Sequence, residues 1–264
     1  MKFVFDIDGT ICFDGIEIDR RIVNAIKSLE VAGNQVIFAS ARPIRDLVPV
    51  VSDFSNNTLI GGNGSIVSID GSIEVCKSIS EETFEEILRI IDANNVEYIV
   101  DDKWNYASKV NSSSNIIRQL DPGRLAKRVR IQEIEIAIKV IMLNMRREDY
   151  DVLKKELNKL SELISIVTHE ESYSLDITSK GINKYTTLNS LIGDVEYVAF
   201  GNDNNDFELL KNATIGYYVN SKKRNEKLEF DHINQLENNI YEIAATINSF
   251  AVLGVPISAK RKDP

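Results

Sequence analysis

Cysteine, histidine and tryptophan are almost missing from this chain. Its 264 residues include two cysteines, two histidines and one tryptophan. Cys12 and Cys76 are too few for a disulfide framework and lack the spacing of a metal site. That excludes a stapled secreted fold and implies a cytoplasmic protein, in which the Asn-x-Ser/Thr triplets at Asn56, Asn111 and Asn212 are chance matches. His169 and His232 have no companions at ligand or triad spacing and are assigned no chemistry. No run is long and apolar enough to span a bilayer, and the first residues lack the basic lead-in and apolar segment of a signal peptide. Positive charge is short as well. The net charge is −9, whereas a general nucleic-acid binder needs a basic face. A phosphate ester remains open as a substrate, because a bound cation and a few local donors can neutralise it. The basic groups Arg146-Arg147, Lys222-Lys223-Arg224 and Lys260-Arg261-Lys262 read as solvated surface.

What is present is an ordinary globular composition, 43% apolar, enough for one large domain or two modest ones. The segment Phe3-Val-Phe-Asp-Ile-Asp-Gly-Thr10 is its most informative part. Lys2 to Phe5 has the apolar character of a strand buried on both faces of a parallel sheet, and ligands of such sheets gather at the carboxyl ends of strands. Asp6 and Asp8 fall there. One of two such carboxylates can attack phosphorus, the other can move a proton, and both can help to hold a magnesium ion. Gly9 lets the chain turn sharply. Taken alone, Asp-Gly is also a common turn dipeptide.

The remaining pattern sorts into two textures. Asp19 to Ala32 predicts a helix with Asp19 as N-cap, a face of Ile22, Ile26 and Leu29, and Gly33 at its end. Gln35 to Ala39 predicts a second buried strand, followed by a helix from Pro43 through about Ser52. Strand, helix, strand, helix is the start of a doubly wound α/β sheet. Beyond Gly71 the rhythm changes. A helix is expected over Ser80 to Ala93, strands over Val96 to Val100 and Ile134 to Leu143, a helix from Glu148 to about Leu163, and strands at Ser165 to His169 and Tyr173 to Ile177. These imply an α+β insert, residues 78–176, between core segments 1–77 and 177–264. The parallel pattern resumes with a helix from Lys184 to Ile192, the strand Tyr197 to Phe200 and a helix from Phe207.

Several further residues sit where chemistry is expected. Ser40 ends the second core strand, where its hydroxyl and the N–H of Ala41 can bind a phosphoryl oxygen; taken by itself, an N-cap for the helix opening at Pro43 is the better explanation. Lys184 opens a helix where it can neutralise phosphate and crowded carboxylates, with Lys180 a rival for that role. Gly201-Asn-Asp-Asn-Asn-Asp206 offers several oxygen ligands of the kind magnesium takes, or else a polar helix cap. Gly61-Gly-Asn-Gly64, through Gly62 and Asn63, can approach a ligand closely or form a simple hairpin turn. Trp104 and Tyr106 can stack on a sugar or serve as packing.

Asp6-x-Asp8-Gly-Thr, Ser40, Lys184 and the Asn202 to Asp206 loop stand in order at strand ends. Together they resemble the haloacid dehalogenase superfamily of phosphotransferases, and the large insert between the second and third elements looks like that of the Cof-type (subclass IIB) sugar-phosphate phosphatases. The resemblance implies a Rossmann-like parallel-sheet core with an inserted α+β cap of the C2B type. It also implies that Asp6 is the nucleophile, Asp8 the general acid and base, and Ser40, Ala41, Lys184 and Asn205 the phosphate-binding set. Gly181-Ile-Asn-Lys184 matches the third motif and prefers Lys184 over Lys180, although Tyr185 replaces the usual glycine. Magnesium would be held by Asp6, Asp8, Asn202 or Asp203, and Asp206. Asn202 stands where the family has an aspartate. The resemblance thus implies a Mg²⁺-dependent phosphatase of small phosphorylated metabolites, without nucleic-acid or membrane partners, monomeric or homodimeric. The rivals are a phosphomutase of the same core and a catalytically weak sugar-phosphate-binding protein.

Overall fold

A computed structural model describes residues 1–111, 115–220 and 231–253. The basic groups at 222–224 and 260–262, and most of the serine-rich loop at 112–115, lie outside the described residues. In chain order the first elements are β1 (Lys2–Phe5), α1 (Arg20–Val31), β2 (Gln35–Ala39), the short α2 (Ile44–Leu47), β3 (Thr58–Gly61), β4 (Ile66–Ile69) and β5 (Ser72–Val75). They are followed by α3 (Glu81–Asn94), β6 (Glu97–Asp101), β7 (Tyr106–Lys109), β8 (Lys139–Leu143), α4 (Arg147–Leu157), β9 (Ile164–His169) and β10 (Ser174–Ser179). The last are α5 (Lys184–Ile192), β11 (Tyr197–Gly201), α6 (Phe207–Lys211), β12 (Ile215–Asn220), β13 (Ile233–Glu237) and α7 (Ile240–Leu253). The chain divides into two compact units, one of residues 1–39 and 192–264 and the other of residues 40–191.

The first unit is built on a parallel sheet in the order β13-β12-β11-β1-β2. Strand β1, between β11 and β2, is buried on both faces: Phe3, Val4 and Phe5 are all 1% exposed or less. Phe5 stacks on Phe200 with ring centroids 4.8 Å apart, and Phe3 meets Phe250 edge-on at 5.2 Å. Helix α1 starts as its sequence predicts, with Asp19 accepting from the N–H of Arg21 at 2.8 Å. Ile22, Ile26 and Leu29 are buried, and Gly33, with φ of +81°, follows its end. The chain runs from β1 to β2 on one side and places β11, β12 and β13 on the other. The order therefore reverses between β1 and β11, and such switch points carry ligand sites at the strand carboxyl ends.

The second unit holds a β3-β4-β5 antiparallel ladder and a separate five-stranded antiparallel sheet in the order β7-β6-β8-β10-β9. Helices α3 and α4 cover that sheet through Phe84, Ile87, Ile91, Leu153 and Leu157, which cluster with Val100, Val140, Met142, Leu175 and Ile177. Ser80 caps α3 by accepting from the N–H of Thr83, and Asn95 ends it in the left-handed region at φ +51°. The mixed α/β architecture, with a parallel-sheet core and a separate antiparallel β cap, is the one the sequence implies.

Three elements differ from their expected lengths. The helix after Pro43 stops at Leu47, not near Ser52, because Pro49 has no N–H to carry the helical ladder onward. Strand β8 begins at Lys139 rather than Ile134; a 3₁₀ turn at Ile131–Glu133 precedes it, and Ile136 is 39% exposed rather than paired into the sheet. Helix α4 ends at Leu157 and tightens into a 3₁₀ turn at Asn158–Leu160.

Candidate active site

In the first unit, the N–H of Asp6 still donates to the carbonyl of Phe200 at 2.9 Å, so the parallel ladder carries one residue past Phe5. The chain then folds back on itself. The carbonyl of Ile7 accepts from Thr10, Ile11 and Cys12, and the N–H of Gly9 donates to the carbonyl of Cys12. Gly9 takes φ of +77° in this turn, a conformation that costs other residues. The reversal brings the Thr10 hydroxyl under Asp6, where it donates to Oδ2 at 2.7 Å. One carboxylate oxygen is thereby fixed at the strand end. Asp6 and Thr10 are buried, and Asp8 is half-buried.

The loop after β11 lies beside this turn. Asn202 Oδ1 is 3.2 Å from the Thr10 hydroxyl oxygen; the single hydroxyl proton goes to the shorter contact, on Asp6. Asp206 is fully buried and its Oδ2 accepts from the N–H groups of Asn202 and Asp203 at 3.0 and 3.2 Å. Asp203 is exposed and caps the following 3₁₀ turn, accepting from the N–H of Asn204 at 2.7 Å. The three side chains thus play different parts. Asp206 shapes the loop, Asp203 caps the turn, and Asn202 points an amide toward Asp6 and Thr10. Among the described residues, no three or more His, Cys, Asp and Glu side chains gather as a metal cluster. A cation at this end must draw on amide, backbone carbonyl and water oxygen besides carboxylate, a donor set that fits magnesium.

In the second unit, Ser40 is held on all sides. Its N–H donates to the carbonyl of Ile60 at 2.8 Å, its carbonyl accepts from Asn63, and its Oγ accepts from the N–H of Arg42 at 3.1 Å. The residue flanking the next helix is Pro43 rather than Ser40, so the serine caps the loop and keeps its hydroxyl proton to donate. Lys184 is 1% exposed and opens α5, where Asn183 accepts from the N–H of Thr186 at 2.8 Å. Lys180 is exposed, and its carbonyl receives Lys77. The glycine turn at 62–64 has a structural reason of its own: a Cβ on Gly64 would stand 2.3 Å from the carbonyl oxygen of Asn183. Thr187 adds a bond to the Gly64 carbonyl at 2.7 Å. The close approach at Gly64 is therefore to the start of α5. Asn63 is buried, with φ of +56°. Trp104 Nε1 donates to the carbonyl of Leu125 at 2.8 Å, and its ring is half-buried.

Residues 3–244 match the family model of the haloacid dehalogenase-like hydrolases. The chain belongs to that family. It is 23% identical over 222 residues to 5-amino-6-(5-phospho-D-ribitylamino)uracil phosphatase YbjI of Escherichia coli (strain K12), covering 80% of this chain and 82% of that protein. Its fold is that of a haloacid dehalogenase-like hydrolase from Bacteroides thetaiotaomicron, at a TM-score of 0.79 and 18% identity over 94% of this chain and 98% of the other. It is also that of the subclass IIB sugar phosphatase BT4131, at a TM-score of 0.75 and 18% identity with the same coverage. The implied family, fold class and enzymatic nature are all borne out.

The hydrolase also contains buried charges for which the sequence offered no role. In the second unit Arg45 is 1% exposed. It pairs with Asp101 and, at 3.1 Å, with Asp46, lies 4.7 Å from the centre of the Tyr106 ring, and donates to the carbonyls of Trp104 and Asn105. Burial pushes the Asp46 carboxyl up to about 7, assisted by Asp101 and Asp121 and opposed by Arg45. Two carboxylates sharing one buried guanidinium cannot both ionise without cost. Lys139, on β8, lies 2.6 Å from Asp176 Oδ2. Burial alone would raise the Asp176 carboxyl, but Lys139 and His169 outweigh it and hold it at about 2. His169, assigned no chemistry from its spacing, thus has an acidic neighbour at 3.6 Å. The available signal was charge inside apolar runs: Asp101 ends Tyr-Ile-Val, and Lys139 opens Val-Ile-Met-Leu.

Proposed function

We propose that this hydrolase is a Mg²⁺-dependent phosphatase of small phosphate monoesters, with sugar phosphates as its substrate class. The observation that carries the reading is Asp6 at the β1 carboxyl end, with Oδ2 fixed by Thr10 and the Asn202 amide beside it. A carboxylate so held can present its other oxygen to phosphorus in one orientation, which is the geometric requirement of nucleophilic catalysis.

In this reading Asp6 attacks the phosphorus atom and becomes an aspartyl-phosphate as the substrate alkoxide leaves. Asp8 gives that alkoxide a proton, then takes one from the water that releases phosphate. Ser40, the Ala41 N–H, Lys184 and Asn205 bind the phosphoryl oxygens. Magnesium, when bound, neutralises charge on those oxygens; Asp6, Asp8 and Asn202 would hold it, with Asp206 ordering the loop. Residues 78–176 form the cap that selects the leaving group, with Gly62, Asn63 and Trp104 near the substrate, and 1–77 with 177–264 form the core. The partner is a small phosphorylated metabolite, in keeping with the phosphatase activity named for the Escherichia coli relative. Among the described residues no helix is long and apolar enough to cross a membrane.

The test is phosphate release from a panel of phosphate monoesters with and without magnesium, for the parent protein and Asp6→Asn. Metal-dependent release that the substitution abolishes is expected. Asp6→Asn activity within about tenfold of the parent would overturn the mechanism. Tight ligand binding with no turnover would make the protein a binder.

A further inference from the structure

The antiparallel sheet of the second unit carries charge where its surroundings are apolar. Asp101 on β6 and Lys139 on β8 are register partners, and β10, which contributes Asp176, pairs with the other edge of β8. All three are buried. A buried ion pair seldom recovers the free energy lost on desolvation, and well-packed apolar residues can take its place without loss of stability. Stability alone therefore does not account for Lys139. A second bond does: besides pairing with Asp176, its Nζ donates to the carbonyl oxygen of Ala41 at 3.1 Å.

That carbonyl lies in the loop that holds Ser40. Its neighbours receive donors from nearby backbone: Ser40 O from Asn63, Arg42 O from Gly62, and Pro43 O from Asp46 and Leu47. Ala41 O receives the ammonium of Lys139. The peptide group between Ala41 and Arg42 thus has a cation at its oxygen end, while its N–H donates to Ser40 Oγ. A hydroxyl oxygen that accepts in this way still has its own proton to donate. Hydrogen bonds in a chain polarise one another, so a cation at the far end strengthens the last donor.

We propose that Lys139 is a positioning residue for Ser40: acting through the Ala41–Arg42 peptide, it orients and polarises the hydroxyl that donates to the phosphoryl oxygen. The inference rests on the phosphate-binding role given to Ser40 above.

A double-mutant cycle tests it in the full-length protein. Lys139→Met is made together with Asp176→Asn, so that neither partner of the pair is left as an uncompensated buried charge. The affinity for inorganic phosphate, with magnesium present, is measured by calorimetry for four proteins: the parent, Lys139→Met with Asp176→Asn, Ser40→Ala, and all three substitutions together. Lys139→Met is expected to weaken phosphate about fivefold when Ser40 is present and less than about twofold when it is not. Equal weakening in both backgrounds would make Lys139 a merely structural residue, and no weakening would remove the link. Should Lys139→Met not fold, Lys139→Gln, which keeps a shorter neutral donor, is expected to weaken phosphate by a smaller factor; unchanged affinity overturns the proposal. A parent protein that binds no phosphate overturns the role of Ser40 and this inference together. Binding that is indifferent to Lys139 overturns this inference alone.

Discussion

The Asn202 amide occupies the space that a side chain on Gly9 would fill: a Cβ built on Gly9 would stand 2.1 Å from Asn202 Nδ2. The turn after β1 and the loop after β11 are thus fitted to each other at the end where the two strands part. Gly9 also sits at φ +77°. Gly9→Ala is expected to cost about 1–2 kcal/mol from the backbone alone and to push the Asn202 amide away from Thr10. Thermal unfolding reads the first effect and magnesium titration calorimetry the second. A variant with parent stability and parent metal affinity would contradict both.

Asn202 and Asp203 separate by what their side chains already do. Asp203 caps the turn at Asn204, whereas the Asn202 oxygen lies beside the Thr10 hydroxyl that holds Asp6. Asn202→Asp is expected to tighten magnesium about tenfold, since it restores a negative charge to a divalent site. Asp203→Asn should leave metal affinity nearly unchanged. Asp203→Ala should cost about 1 kcal/mol of stability through the lost cap. Calorimetric titration with magnesium alone decides it: loss of binding in Asp203→Asn with none in Asn202→Ala would shift the ligand by one residue.

Asp46 predicts a loss of stability as pH rises. Its carboxyl is held at about 7 in the folded protein against roughly 4 in the unfolded chain. The folded state keeps a proton that the unfolded state has released. Its contribution is present in full below about pH 4 and is lost as pH rises towards 7. Asp46→Asn imitates the protonated form, so its melting temperature relative to the parent should be higher at pH 8 than at pH 5. An equal difference at both would show that Asp46 does not titrate in this window.

Asp176 predicts the opposite slope at lower pH. Held at about 2 by Lys139 and His169, it contributes stability above pH 4 that is lost as pH falls from about 4 to 2, on the order of 2 kcal/mol. Asp176→Asn should flatten that part of the unfolding curve, followed by chemical denaturation at stepped pH. An unchanged slope between pH 4 and 2 would mean that the carboxyl is not held down.

Much of the fold was legible. The helix at α1 is marked by an N-cap, a three-residue apolar face and a terminal glycine, all short-range signals. The strands β1, β2 and β11 are marked by apolar runs too short for helices. Strands β12 and β13 and helix α7 were missed, although Ile215-Gly-Tyr-Tyr-Val is strand-like in composition. The helix expected up to Ser52 failed on Pro49, a single residue outweighing an apolar pattern.

By itself the sequence determined the family, the parallel core, and the places where Asp6, Asp8 and the Asn202 to Asp206 loop end their strands, because each depends on residues close together in the chain. Tertiary structure decided which polar atoms meet. Lys139 reaches Ala41 across 98 residues of chain, and Arg45 reaches Asp101 across 56. Such pairs depend on strand register, and a slip of one residue would turn Asp101 and Lys139 to the opposite face of the sheet. Local periodicity shows that a residue is buried; only the folded register shows what it is buried against.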